Sequence, residues 1–425
     1  MKYHYHKLKN GLEIGIVPMK EAGIVTILFM VNAGSRFDQK GHNGVAHFTE
    51  HMLFKGTQRR PKTAQTEREI EKLGGIFNAF TTKEFTWFSI KLLKKDIEKA
   101  FDVLSDMFTE PLFLEAQIKK EKRVILEELH IFKDSPSDLV DDLFQKCLYH
   151  KNPLTLPIVG VEKSIAKIKR EHLINFFEKY YGARNTALAI AGDIEVEKCL
   201  HLANHYFSKL PGGKSQKGAI ICRVHNKPVV HFRYRQSEQV YLAIGVPAHN
   251  IKHPDHHICK VMALILGGNM STRLFTKLRE ELGLVYDVMT VAEAKKNSGY
   301  LVTYTSVEKN HLEKTIELII NAYRDLKNEK VTRKELTEAK NFLIDKKKIS
   351  FEDSSLVAMD IAKRIIFEKN ERDVEAYRKE INKITPDDLL RVARKIFKSN
   401  KLNIALVGPV HTAEAERIEK LLHLL

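Results

Sequence analysis

The feature that most constrains this fold is a repeat. "REHLINFFEKYYGARNTALAIAGDI" (170–194) reads as a helix, a short polar turn and an apolar strand ending near a glycine. "PDDLLRVARKIFKSNKLNIALVGPV" (386–410) has the same three parts, and Gly192 and Gly408 lie 216 residues apart. "LKKDIEKAFDVLSDMFTEPLFLEAQIKKEKRVILEE" (93–128) is paralleled at nearly the same offset by "EKNHLEKTIELIINAYRDLKNEKVTRKELTEAKNFLID" (308–345). Such a period is too long for a solenoid. It predicts two domains of about 210 residues with one topology, which suits a chain of 425 residues, too long for a single ordinary core. "LPGGKSQKGAI" (210–220), with its Pro, Gly and Ser, is the natural linker. The expected domains are therefore 1–209 and 225–425, joined by 210–224.

Strand-like runs occur at "GLEIGIVP" (11–18), "IVTILFMVNAG" (24–34) and "FTWFSIKLL" (85–93). Apolar residues recur at helical spacing over 94–110 and 115–134, and a helix over 66–74 stops at Gly74-Gly75. Strands and helices do not alternate strictly. The expected class is α+β, with a largely antiparallel sheet in each domain and helices packed on one face of it.

A second feature bears on chemistry. "GVAHFTEHMLFKGT" (44–57) holds His47, Glu50 and His51 within five residues. Positions i and i+4 share a helix face, so His47 and His51 can aim both imidazoles at one point, as two nitrogen ligands of Zn²⁺ do. Glu50 can flank that point without taking a ligand position, where a carboxylate takes the proton of a water acidified by metal. A chain with 19 histidines can also produce this pentapeptide by chance. Two facts weigh against chance. The neighbours Val45, Ala46, Phe48, Met52, Leu53 and Phe54 are apolar, and polar groups on so apolar a helix are costly to bury without a partner. A catalytic zinc also wants a third protein ligand beside an open position. "EKRVILEELH" (121–130) offers Glu121 and Glu128, two turns apart on one helix face, although without the histidines it reads rather as a solvated helix face.

His-Phe-Thr-Glu-His followed at this distance by "EKRVILEE" resembles the inverzincin zinc metallopeptidases, the family of pitrilysin, insulin-degrading enzyme and mitochondrial processing peptidase, in its short two-domain form. The resemblance runs over essentially the whole chain. It takes in "NGLEI", "GSRFD" (34–38), "GGIFNAFTTKEFTWF" (74–88) and "LGGNMSTRLFTKLREELGLVYDV" (266–288). It implies one Zn²⁺ per chain held by His47, His51 and Glu128, with Glu50 as the general base and Glu121 orienting a ligand histidine. Glu127 is the adjacent carboxylate that the spacing from Glu121 and the family's pattern both pass over.

The resemblance also implies a substrate-binding edge strand at Phe77, Asn78 and Ala79, which would pair with an extended peptide. Arg279 and Tyr286 of the second domain would contact the substrate backbone and steady the oxyanion. Without the resemblance, the strand is an ordinary sheet strand and the pair is surface charge beside a packed tyrosine. The second domain carries no metal motif in "KVMALILGG" (260–268). His253, His256 and His257, without a nearby carboxylate of the right kind, read as polar residues at a helix start.

The implied activity is that of a zinc-dependent endopeptidase hydrolysing short unfolded peptides inside a clamshell chamber. The family's full chamber uses four domains, so two imply pairing. Both half-sites in one chain favour a homodimer; a heterodimer with a related chain is the other form. The alternative function is a non-catalytic subunit or scaffold of a heterodimeric processing complex, against which the complete ligand set argues.

Charge adds little. Seventy Lys and Arg against 54 Asp and Glu give +16, but they are spread along the chain with no basic stripe interleaved with aromatics, so no nucleic-acid partner is expected. The longest apolar run, "GIVTILFMVNAG", is too short to span a bilayer as a helix, and no membrane partner is expected. "MKYHYHKLKNGLEIGIVPM" has neither an apolar signal core nor an Arg/Ser-rich transit helix. Cys147, Cys199, Cys222 and Cys259 lie far apart with no CxxC pair. The expected location is cytoplasmic.

Overall fold

The computed structural model describes residues 3–149, 152–216, 227–368 and 374–425. Residues 217–224 of the expected linker, and Cys222, lie outside the described residues. Among the described residues eleven strands form two sheets. The first contains β1 (His4–Lys7), β2 (Glu13–Pro18), β3 (Ile24–Val31), β4 (Ile76–Thr81), β5 (Thr86–Leu93) and β6 (Thr186–Gly192), in the order β1-β2-β6-β3-β5-β4. The second contains β7 (Val229–Tyr234), β8 (Gln239–Pro247), β9 (Val285–Ala294), β10 (Gly299–Glu308) and β11 (Asn403–Gly408), in the order β7-β11-β8-β10-β9.

The two orders match place for place once β1 is set aside. Each sheet has one parallel pair, β2 with β6 and β7 with β11, and is otherwise antiparallel. The strands that end at Gly192 and Gly408 occupy the same position, so the repeat read from the sequence is a repeat of topology. The α+β expectation holds in both sheets.

The chain forms two compact units. Most of 1–209 lies in one and most of 225–425 in the other, with 131–155 grouped with the second unit and 347–374 with the first. Each exchanged segment carries a helix that covers the sheet face opposite the main helical layer. In the first unit the helix Ser354–Lys363 sets Val357, Ala358, Ile361 and Ala362 against Leu28, Met30, Ala187, Ala189 and Ala191. β6, "TALAIAG", is the reason this works. Its alternation places alanines on one face and Leu188 and Ile190 on the other. A face of small residues lets a helix backbone approach closely. In the second unit the helix Pro136–Leu148 does the same with Leu139, Val140, Phe144 and Cys147 against Ala243, Val302, Ala405 and Val407.

The main helical layer of the first unit includes Val45–Leu53, Ile97–Thr109, Glu115–Asp134 and Arg170–Tyr180. Its core is aromatic, with the Phe108 ring tilted against Phe29 at 4.1 Å and edge-on to Phe88 at 5.1 Å. This packing fixes the helix Val45–Leu53 beside β4, the last strand of the sheet, whose outer edge has no strand partner among the described residues. No described helix is long and apolar enough to cross a membrane.

Candidate metal centre

The helix Val45–Leu53 begins at Gly44, whose φ of +97° belongs to the left-handed region. A side chain there would also meet the Val159 carbonyl oxygen at 2.6 Å. Asp38, from "GSRFD", holds the helix start by accepting from the Gly44 N–H at 2.6 Å and the Ala46 N–H at 3.0 Å. Burial pushes the Asp38 carboxyl up to about 8, against the downward pull of those two bonds. Val45, Ala46, Phe48, Met52 and Leu53 are buried, which locks the phase of the helix. His47 and His51 then share its half-open side.

The expected ligand atoms converge. His47 Nε2 and His51 Nε2 are 3.3 Å apart. Glu128 Oε2, from the helix Glu115–Asp134, lies 3.7 Å from the first and 3.5 Å from the second. Zinc with ligand distances of about 2.0–2.2 Å in tetrahedral geometry separates its donors by about 3.3–3.6 Å. The donor set therefore fits this ion in both chemistry and spacing. Burial, with the neighbouring His51 adding to it, pulls His47 down to about 3, so its imidazole is neutral and has a lone pair to give.

Glu121 Oε1 stands 2.8 Å from His51 Nδ1. A carboxylate only accepts, so Nδ1 carries the hydrogen and Nε2 is left free to bind metal. Burial pulls His51 down, but the Glu121 hydrogen bond and the charges of Glu128, Glu50 and Glu121 outweigh it and raise it overall. The other Glu121 oxygen is 3.1 Å from Lys55 Nζ. Burial works to raise Glu121, yet the His51 bond and Lys55 hold its carboxyl below the usual range. His47 has no such support, since its Nδ1 is buried without a hydrogen-bond partner among the described residues.

Glu50 is buried and accepts from the Thr81 hydroxyl of β4. Burial pushes its carboxyl up to about 7, against the downward pull of Thr81 and of His51. Glu127 points away, with its side chain exposed and 3.8 Å from His130. Phe77, Asn78 and Ala79 all lie on β4. Phe77 packs 4.9 Å from Phe54, on the motif-helix side, while Ile76 and Phe80 are exposed on the other.

Arg279 and Tyr286 come together in the second unit. The Arg279 guanidinium lies 4.9 Å over the Tyr286 ring, which is itself 78% exposed at the start of edge strand β9. His256 opens the helix His256–Gly267, as polar residues at a helix start do, and carboxylates stand near this group. His257 Nε2 is 3.1 Å from Glu380, and His253 and His249 are each 3.9 Å from Asp255. Asp255 and His249 lie in the same stretch of sequence, and tertiary contact brings Glu380 from the helix Val374–Lys383. The group still makes a poor metal centre: the His249 and His253 rings stack within 11° of parallel, so their lone pairs do not converge, and Arg391 takes both Asp255 oxygens.

Two residues of the site escaped the sequence reading. Lys55 lies two residues past the end of the motif helix, so helix spacing did not place it. Thr81 shares the strand face of Phe77 and Ala79, four and two residues before it.

A family model described as Insulinase (Peptidase family M16) matches residues 17–162, and one described as Peptidase M16 inactive domain matches residues 167–343. A Rickettsia felis protein named as an uncharacterized zinc protease is 31% identical over 418 residues, covering 96% of this chain and 98% of its own length. The Saccharomyces cerevisiae mitochondrial-processing peptidase subunit beta is 27% identical over 427 residues, covering 96% of this chain and 91% of its own. Among solved structures, a Helicobacter pylori protease superposes with a TM-score of 0.89 at 21% identity, over 96% of this chain and 99% of that one. At that identity the likeness speaks for the fold alone.

Proposed function

The chain belongs to the M16 peptidases, a zinc-dependent family, and from that premise we propose that it is a zinc-dependent endopeptidase hydrolysing short unfolded peptides inside a clamshell chamber. One observation carries this reading: three donor atoms from two helices, on His47, His51 and Glu128, stand 3.3 to 3.7 Å apart. These three residues would hold the zinc. When bound, the ion supplies a Lewis acid that acidifies water and polarises a carbonyl.

The chain's own groups do the rest. Glu50, beside the ligands and tied to Thr81, takes the proton of the attacking water and later passes it to the leaving nitrogen. The free edge of β4 at Phe77, Asn78 and Ala79 offers main-chain groups to an extended peptide, which would lie beside Glu50. Arg279 and Tyr286 are donors suited to a developing oxyanion. The described residues of a chain hold one such His-His-Glu donor set and one such pair, so we read the active form as a homodimer, with Arg279 of the partner subunit and Tyr286 of the partner subunit completing each site. A relative named as one subunit of a processing peptidase supports assembly in general and keeps a heterodimer as the other form. Cys147, Cys199 and Cys259 are buried and not in disulfides, which suits a reducing compartment such as the cytoplasm.

The test is digestion of a mixture of unstructured peptides. Wild type should cleave, lose activity to a chelator and regain it with zinc. Glu50→Gln should bind zinc and cleave nothing. Chelator-insensitive cleavage, or a fully active Glu50→Gln, sinks the mechanism. A purified chain with neither bound zinc nor cleavage would favour a scaffold.

A further inference from the structure

Strand β4 does more than border the site. Thr81, its last residue, is 2% exposed and donates its hydroxyl to Glu50 Oε2. We propose that Thr81 is a positioning residue for the reaction, holding the Glu50 carboxylate against β4 so that the base and the peptide-receiving edge stay in one register. The proposal rests on the reading of Glu50 as the general base.

The Glu50 side chain has three rotatable bonds and lies on a helix whose other buried residues are mostly apolar. Left alone it could turn between the ligand histidines and the sheet. The Thr81 hydroxyl, beside a backbone hydrogen bond from the same residue, restricts that freedom, and both belong to the strand whose edge would carry the peptide. A peptide hydrogen-bonded to residues 77–79 is thereby fixed relative to Glu50 through four residues of one rigid strand. A base displaced by about 1 Å loses on the order of 100-fold in rate, so this link has kinetic weight.

Thr81 is anchored in turn. Its register partner across the hairpin is Thr86, and the two hydroxyl oxygens are 3.2 Å apart. Thr86 donates its own hydrogen to the Ala33 carbonyl at 2.9 Å, which leaves a Thr86 lone pair facing Thr81. The Thr81 hydrogen thus has two acceptors within reach. It points to the Glu50 carboxylate, and the Thr86 oxygen braces the Thr81 hydroxyl from the neighbouring strand.

The experiment compares Thr81→Val, Thr81→Ser and Glu50→Gln in the full chain, reading kcat and KM on an unstructured peptide, together with zinc content. Valine keeps the β-branched shape and removes the donor; serine keeps the donor and removes the methyl. Thr81→Val should lower kcat by about 10- to 100-fold with KM and zinc content unchanged, and Thr81→Ser should recover most of the loss. A wild-type kcat in Thr81→Val overturns the proposal. So does serine performing no better than valine, or a loss confined to KM or zinc content, because packing alone would explain each. If Thr81→Val does not fold, the serine variant decides: kcat near wild type supports the hydroxyl's role, and a loss as large as that expected for valine overturns it. Activity in Glu50→Gln would instead defeat the underlying reading of the base, whatever Thr81 does.

Discussion

His51 Nδ1 lies 2.8 Å from Glu121 Oε1, and Lys55 holds the other oxygen of the same carboxylate at 3.1 Å. The three groups form a line that runs away from the metal-facing nitrogen and decides which way the His51 ring turns. Glu121→Gln keeps the shape but lets an amide compete for either orientation of the ring. It should weaken zinc binding by about 10- to 100-fold in chelator competition. Lys55→Met should weaken it less, since it leaves the His51 bond in place. Equal zinc affinity in wild type and Glu121→Gln would remove Glu121 from this role.

The two adjacent carboxylates of the helix Glu115–Asp134 should separate cleanly. Glu128→Gln should lose zinc and peptide cleavage together, because Glu128 Oε2 completes the donor triangle. Glu127→Gln should keep both, because that side chain points to solvent. Metal analysis of the two purified variants checks this, and zinc loss in Glu127→Gln would mean that the wrong carboxylate has been chosen.

Asp38 should matter for stability more than its distance from the metal suggests. Asp38→Ala leaves the Gly44 and Ala46 N–H groups buried without their acceptor and should cost about 1–2 kcal/mol. Thermal unfolding reads the loss. An unchanged melting temperature would show that the helix start is held by its packing alone.

His249 sets a pH dependence in the second unit. Burial, together with His253 and Lys395, pulls it from 6.5 to about 4; Asp255 pulls the other way but is already paired with Arg391. Between those two values the unfolded chain binds a proton that the folded one does not, so stability falls as pH falls from about 6.5 to about 4. Melting temperatures across that window should decline less steeply in His249→Gln than in wild type. Parallel slopes would show that other groups dominate.

Completion of the site by a second chain has a direct readout. Chains carrying Glu50→Gln and chains carrying Arg279→Ala should each be nearly inactive. Mixed and allowed to exchange, they should regain cleavage, since one of the two sites in a mixed dimer pairs an intact Glu50 with Arg279 of the partner subunit. No recovery after demonstrated exchange would defeat pairing in trans.

Much of the site was legible before any fold was known. His47, Glu50 and His51 are set by helix geometry alone, as is the shared face of Phe77, Ala79 and Thr81 by strand alternation. Glu128 needed more. The motif helix and the helix Glu115–Asp134 are joined by more than sixty residues, and their relative phase depends on Ile118, Ile125 and Leu129 being buried in the common core. Spacing from Glu121 and family resemblance selected Glu128; the packed core is what turns Glu127 outward. Thr81 and Lys55 were in plain view as residues, but their partners, Glu50 and Glu121, lie 31 and 66 positions away, and nothing local pairs them.

The same division holds for the fold. Repeated patterns around Gly192 and Gly408 determined that one topology occurs twice, because periodicity of 2 and 3.6 is imposed by each residue's immediate neighbours. The alanines of β6 announced a face that something must approach closely. Only the tertiary structure decided that this is the helix Ser354–Lys363, over 160 residues further on. A buried face specifies the size and polarity of what covers it, and several amphipathic helices of this chain meet that description. Choosing among them depends on the whole core closing at once, which no local stretch encodes.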